Sequence, residues 1–403
     1  MPITDPGPSA SPADLLGRLN AFMADSVYPA ESVHEAQAAE LAVGRTPPVM
    51  SELRAEARRR GLWNLCLSDH EWGVGLSNEA YAPLAELTGR SALGADAING
   101  NGPDSVNMET LVQVGTPEQQ EQWLRPLAEG YARSCFGMTE PDVASSDATN
   151  IATRIERTSS GYRITGRKWW TSGAARDDCR FAIVMGVSDP EASPYRRHSM
   201  VIVPFDSPEV RLVRRLSVFG YEDGAHAEVA FDGVEVPEAN LLGQEGDGFA
   251  IAQIRLGPAR IQHCMRLVGM AERALSLLCA RAAQRSTFGQ KLSERGVIQD
   301  WIAESRIAIE AARLLVLHAA AAVDRVGTRG ARDEIGIIKV VVPRTAAEVI
   351  DRAIQVYGGA GVSADTPLAA MYARARGLQI ADGPDEVHKM VIARTELRRQ
   401  AGG

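Results

Sequence analysis

Asp382 is a side chain whose setting could allow acid-base chemistry. It lies in Ile380-Ala381-Asp382-Gly383-Pro384-Asp385-Glu386, where a glycine and a proline separate two helical runs. The run before it, Thr366 to Leu378, opens on threonine and proline, the start signal of a helix. The run after it restarts at Asp385, where the carboxylates of Asp385 and Glu386 suit the positive end of the helix dipole. A carboxylate on such an interhelical corner can be aimed at a ligand, the placement that general-base work requires. The same residues, taken locally, also make an ordinary turn.

Three further stretches could hold a ligand. Phe136-Gly137-Met138-Thr139-Glu140-Pro141-Asp142-Val143-Ala144-Ser145-Ser146 concentrates hydroxyls and backbone N–H groups that suit a phosphate or the polar edge of a ring, and equally a capped turn. Gly166 to Gly173 places Trp169 and Trp170 beside Thr171, a flat apolar wall with a hydroxyl donor; indoles of this kind also serve as core. Gln355-Val356-Tyr357-Gly358-Gly359-Ala360-Gly361 ends a helix in glycines, where a ligand or a second chain can approach the backbone and where a helix C-cap is the plain alternative. It follows a helix rather than a strand, which excludes a dinucleotide-fold fingerprint.

The elements that must position these residues fall into three blocks. Apolar residues at helical spacing predict helices over Ala13 to Val27, Val49 to Arg60, Asn78 to Thr88, Ser105 to Val114 and Pro117 to Ala128. Near Ser134 the period changes to alternation, and short β-branched segments beginning at Gly161, Arg180, Ser199, Val210 and Ala227 predict a small barrel or sandwich. After Gly243, long helices over Phe249 to Arg285, Val297 to Val326 and Arg332 to Tyr357 predict a bundle. The fold class is α+β, with domains expected at 1–133, 134–243 and 244–403.

A chain of 403 residues with a formal net charge of −8 repels phosphate overall, which argues against a general nucleic-acid binder, and an anionic ligand would need local basic groups. The longest apolar run, Leu314 to Val323, is interrupted by His318 and is too short to span a bilayer. Five widely spaced cysteines form no metal-binding or paired pattern and read as reduced thiols. With no signal peptide visible, a soluble cytoplasmic protein is expected, and the Pro/Ser/Gly-rich tip from Met1 to Ser11 should be mobile.

Together these stretches resemble the acyl-CoA dehydrogenase family over nearly the whole chain. The matches are Met138 to Asp147, Lys168-Trp169-Trp170-Thr171, Phe231 to Gly243 followed by Gly246-Asp247-Gly248-Phe249, Arg285-Ser286-Thr287-Phe288-Gly289, Gln355 to Gly361, and the Asp382 loop. Ala353 to Gly361, Tyr372 to Arg376 and Ala381 to His388 look closest to family members ten and eleven. Some of those relatives carry a preceding phosphotransferase-like domain, for which this chain has no room.

The resemblance implies an N-terminal helical domain, a middle β-barrel and a C-terminal four-helix bundle that bind FAD and an acyl-CoA. Phe136, Met138, Thr139, Ser145, Ser146, Trp169, Trp170 and Thr171 would hold the isoalloxazine, with Ser146 or Ser145 near its junction with substrate. Gly383, Pro384 and Glu386 would also border the cofactor. Arg285, Thr287 and Phe288, with Gln355, Val356, Gly358 and Gly359, would reach the FAD of a neighbouring subunit, which makes the active unit a homo-oligomer, a dimer of dimers by family habit. Arg260, Arg394 and Gly383 would border the substrate, and Asp382 aligns with the catalytic base, usually glutamate. An apolar pocket would raise its pKa toward the working pH. Some members take their base from the position before Arg260, which here is Ala259 and cannot serve. Electrons would pass to an electron-transfer flavoprotein. The family also contains nitroalkane oxidases with an aspartate base, so an oxidase or monooxygenase on the same fold is the alternative.

Overall fold

The computed structural model describes residues 10–221 and 225–402. Most of the Pro/Ser/Gly-rich tip lies outside these residues. Ser11 does not: it caps the first helix, α1 (Pro12–Phe22), its hydroxyl accepting from Asp14 N while the Asp14 carboxylate accepts from Ser11 N. The sequence pattern stops this helix at Val27, whereas the chain runs on through a π-helical turn, Met23–Val27, into α2 (Tyr28–Glu40). Pro29 lacks an N–H and its ring crowds the preceding turn, so a widened turn just ahead of it keeps the axis going. Pro126 has the same effect: the π turn Gln120–Leu124 joins α7 (Pro117–Gln119) to α8 (Arg125–Ala128). Between lie α3 (Val49–Arg59), α4 (Asn78–Gly89), α5 (Gly94–Ala97) and α6 (Asp104–Val114).

Eight strands follow: β1 (Arg133–Gly137), β2 (Arg154–Arg157), β3 (Gly161–Ser172), β4 (Cys179–Val187), β5 (His198–Pro204), β6 (Val210–Arg215), β7 (His226–Pro237) and β8 (Leu241–Leu242). They lie in the order β6-β7-β3-β2-β4-β5-β8, with β1 parallel to β4. Ile155, Ile164, Val184, Val201, Val229 and Val236 come from five strands yet pack in one core, so the sheet curls around its own interior. The opposite face of β4 and β5, through Phe181, Ile183, Met185, Met200 and Ile202, packs on Met108, Leu111 and Leu124 of the first helices. Burial on both faces explains why β4 and β5 read as continuous apolar runs rather than alternating ones.

The chain returns to helix with α9 (Gly248–Gln284), α10 (Gly296–Gly330), α11 (Arg332–Tyr357), α12 (Leu368–Gly377) and α13 (Asp385–Gln400). Its 37 residues make α9 roughly 55 Å long, and it is the spine against which α4, α10 and α11 pack. A Cβ on Gly269 would stand 1.9 Å from the Glu86 carbonyl oxygen, so only glycine lets α9 and α4 approach this closely. Leu15 and Leu84 share one core with Leu267, Ile309, Val316, Ile338 and Val349, joining the first helices to the bundle.

Candidate active site

Asp382 occupies the corner between α12 and α13 with φ at 58°, the left-handed region that aspartate tolerates better than most residues. The corner is tied down from three helices. Arg260 of α9 donates Nε to the Asp382 carbonyl at 3.0 Å, and His388 Nε2 of α13 lies 3.3 Å from the same oxygen. Lys339 of α11 donates Nζ to the carbonyls of Leu378 and Ala381 at 2.7 and 2.8 Å. Gly383, at φ 102°, takes a backbone conformation that side chains strain, and a Cβ there would also press on His388 Nε2 at 2.8 Å. Pro384 then precedes α13 in extended backbone, Asp385 accepts Arg344 Nε at 2.7 Å, and Glu386 is exposed on the first turn.

The carboxylate itself faces His263 of α9, whose Nε2 is 3.5 Å from Asp382 Oδ2. Burial alone would push the Asp382 carboxyl up, but His263, Lys339, Arg260 and Arg255 together outweigh it and hold the carboxyl below its ordinary value. This corrects the expectation of an apolar pocket that raises the base. The surroundings are cationic, and the carboxylate is ionised at neutral pH. The basic groups bear the cost: burial pulls Arg255 down to about 10 against the attraction of Asp382, and burial, aided by Arg260 and Lys339, pulls His388 down to about 4, where it is neutral.

Arg255 also links this corner to the hydroxyl-rich loop. Its guanidinium lies 3.7 Å over the Phe136 ring, and its Nε donates to Asn107 Oδ1 at 3.2 Å. Asn107 in turn donates to Ser134 Oγ and the Cys135 carbonyl, fixing β1 where the loop begins. Beneath the loop, buried Lys168 donates Nζ to the Met138 carbonyl at 3.0 Å and to Glu140 Oε1 at 2.8 Å. The Thr139 carbonyl accepts Trp169 N at 2.9 Å. Ser145 is spent inside the loop, its Oγ accepting Glu140 N at 2.9 Å, whereas Ser146 is exposed.

Across from that loop, β3 carries a bulge: its register against β7 shifts between Lys168 and Thr171, and Trp170 takes φ 49°. A bulge re-aims side chains, here leaving Trp170 44% exposed and Thr171 buried. Thr171 Oγ1 and Trp169 Nε1 are buried without a hydrogen-bond partner among the described residues. Two orphaned polar atoms in one bulge, facing a loop rich in backbone amides, are what a ring system with a polar edge would satisfy. The residues present therefore fit a flavin.

Other sequence-predicted residues lie elsewhere. Gln355, Gly358 and Gly359 are exposed at the C-terminal end of α11, with Val356 buried beside them. Gln355 is 16 residues beyond Lys339, a rise of roughly 24 Å along the helix. Arg285, Thr287 and Phe288 occupy the exposed hairpin beyond α9, with Phe288 99% exposed. Within one chain these residues do not reach Asp382. Nor does Arg394, which is exposed on α13 and makes no hydrogen bond or ion pair among the described residues. Conversely, sequence reasoning missed Arg255, His263, Lys339 and His388. His263 carries one usable signal: it follows Arg260 by three residues and so shares its helix face.

A helical domain, a curled sheet and a helical bundle that carry a bulge and loop fitted to a flavin together with a corner carboxylate define an oxidoreductase of the flavin-dependent dehydrogenase class. The sequence profiles of the acyl-CoA dehydrogenase N-terminal, middle and C-terminal domains match residues 14–131, 135–234 and 246–397. The chain belongs to the acyl-CoA dehydrogenase family, and FAD is its expected cofactor. It is 52% identical over 396 residues to the probable acyl-CoA dehydrogenase FadE2 of Mycobacterium tuberculosis, covering 97% of each chain. It is 52% identical over 399 residues to acyl-CoA dehydrogenase family member 11 of Gallus gallus, covering 96% of this chain and 51% of that one, so it spans about half of that relative. A solved acyl-CoA dehydrogenase family structure from Mycobacterium abscessus superposes with a TM-score of 0.93 at 48% identity, covering 98% of this chain and 100% of that one. The fold is also that of a glutaryl-CoA dehydrogenase from Mycobacterium smegmatis solved in complex with FADH2, at 21% identity, a TM-score of 0.81 and coverage of 95% of this chain and 94% of that one.

Proposed function

We propose that the protein dehydrogenates an acyl-CoA thioester to the trans-2-enoyl-CoA, with Asp382 as the base that removes the pro-R α-proton. The observation that carries this reading is Arg255, whose charge acts on Asp382 while its guanidinium stacks on Phe136 at the start of the flavin loop. Base and cofactor cleft thus meet across one side chain. Bound FAD supplies the acceptor for the β-hydrogen, which leaves as hydride. Thr139, Thr171, Trp169 and Ser146 would hold its ring, with Ser145 serving the loop.

The backbone N–H of Asp382 makes no hydrogen bond among the described residues, which leaves it for the thioester carbonyl. There it would stabilise the enolate as the α-proton departs. An acyl chain packed beside Asp382 would displace water, which moves the Asp382 pKa upward from its depressed value and strengthens the base when substrate is present. Arg285, Phe288, Gln355, Gly358 and Gly359, exposed far from Asp382, with Val356 buried beside them, would complete the cofactor site of a partner subunit in a dimer of dimers. Electron-transfer flavoprotein would take the electrons, and the free cysteines, Cys66, Cys135, Cys179, Cys264 and Cys279, support a reducing, cytoplasmic setting. Among the described residues no helix is long and apolar enough to cross a membrane.

The test is an anaerobic visible spectrum of the flavin-loaded protein titrated with acyl-CoAs of graded length. Bleaching of the flavin band by one length class supports dehydrogenation and identifies that class. A band that no acyl-CoA bleaches refutes it, and hydrogen peroxide formed under air with a non-thioester substrate would transfer the assignment to an oxidase.

A further inference from the structure

Asp382 is a short base on a fixed backbone. Its carbonyl is held by Arg260 and faced by His388, and the preceding carbonyl is held by Lys339, so the peptide cannot swing. The freedom that remains lies in two side-chain torsions. Of the four basic side chains around the carboxylate, Arg260 and Lys339 are engaged with carbonyls, and Arg255 with Phe136 and Asn107. His263 is the one whose side chain meets the carboxylate itself, at 3.5 Å. It stands three residues after Arg260, so a single face of α9 fixes the backbone of residue 382 and touches its side chain.

We propose, resting on the acyl-CoA reading above, that His263 is the positioning residue for the base: as a neutral imidazole it donates Nε2–H to Asp382 Oδ2 and selects the carboxylate rotamer that faces the α-carbon. The neutral form follows from its neighbours. Burial disfavours a charged ring, Asp382 opposes that, and Arg266 and Arg255 of α9 with Lys339 of α11 add to it, so that His263 is pulled down to about 4. His388 of α13 faces the carbonyl rather than the carboxylate and is likewise neutral at working pH. A neutral donor steadies the carboxylate without competing for the proton it must accept. When Asp382 becomes a carboxylic acid, the Nε2–H contact weakens, which favours release of that proton and return to the starting state.

His263→Ala, assayed as the holoenzyme, is expected to lower kcat by about 10- to 100-fold, the scale of a misplaced reacting group. KM should change less than about threefold, since binding contacts are untouched. The acidic limb of the kcat profile should move upward, because the carboxylate loses a donor that favours its charged form. His263→Gln, which restores a neutral donor, should recover most of the rate and return the limb. Crystals of the FAD-loaded variants give a readout apart from turnover: the Asp382 carboxylate should leave its conformer in His263→Ala and keep it in His263→Gln. Unchanged kcat and acidic limb in His263→Ala, or an unmoved carboxylate in its crystals, would overturn the inference. A wild-type flavin band that no acyl-CoA bleaches would instead overturn the acyl-CoA reading, so the two failures are separable.

Discussion

Lys168 bears directly on how the cofactor loop is held, and Lys168→Met removes its ammonium while keeping the length of its stem. Two contacts vanish, to the Met138 carbonyl at 3.0 Å and to Glu140 Oε1 at 2.8 Å. Glu140 keeps the amides of Ala152 and Thr153, at 2.7 and 2.9 Å, but becomes a buried anion with no cation. Breaking a buried pair this way costs about 3–5 kcal/mol. At about 2–4 °C per kcal/mol, the melting transition of the middle domain should fall by roughly 6–20 °C. The pH dependence gives a sharper signature. Burial, against the attraction of Glu140, lowers Lys168 from 10.5 to about 8, so between those values the folded state binds fewer protons than the unfolded one. Stability of the wild type therefore rises with pH across that window, by about 3 kcal/mol in all, and this rise is absent in Lys168→Met. Calorimetry at pH 8 and 10.5 on the wild type, Lys168→Met and the double variant Lys168→Met/Glu140→Gln tests both parts. The double variant, with neither charge, should recover most of the loss. A single variant melting within about 2 °C of wild type, or a gap between the two that does not widen with pH, refutes the reasoning.

Asp382→Asn should retain flavin yet lose turnover by roughly two to four orders of magnitude, as expected on removing a general base; full activity would remove Asp382 from the mechanism. Thr171→Val deletes a buried hydroxyl with no partner, so the cofactor-free protein should be as stable as wild type or up to about 1 kcal/mol more so. Its flavin content after gel filtration should fall, and undiminished flavin would show that the hydroxyl is satisfied in some other way. Arg285→Ala should reduce flavin content and assembly together, read by absorbance and light scattering on one column; unchanged values would contradict a shared site.

The order of helical, β and helical blocks was legible because hydrophobic period survives in sequence wherever an element buries one face. What it missed has local causes. Pro29 looks like a stop, yet a π turn ahead of it keeps the helix running. β1 and β2 are too short to show alternation, at five and four residues. The Asp382 corner was legible because Gly383 and Pro384 break a helical run, and Thr171 because a threonine follows two tryptophans. The cationic shell was not. Arg255, His263 and Lys339 are single basic side chains in largely apolar helices, and which way such a helix faces is decided by packing between segments far apart in the chain. The expected apolar pocket was reversed for that reason.

The length of α9 has one more consequence. Arg255 stacks on the loop, Arg260 grips the corner, His263 meets the carboxylate, Arg266 donates to the Gly100 carbonyl, and the exposed hairpin at Arg285 hangs from the far end. All are mounted on one continuous rod, so their relative angles are set by residue count alone. Deleting a single residue between Arg255 and Arg260 would turn everything beyond it by about 100°. Away from Gly269 and the mounted side chains, substitutions along this helix can be absorbed one at a time, but changes of length cannot. The stretch should therefore tolerate drift in composition while forbidding insertions and deletions, unlike the exposed turn at 189–196, where an added residue leaves every mounted group in register.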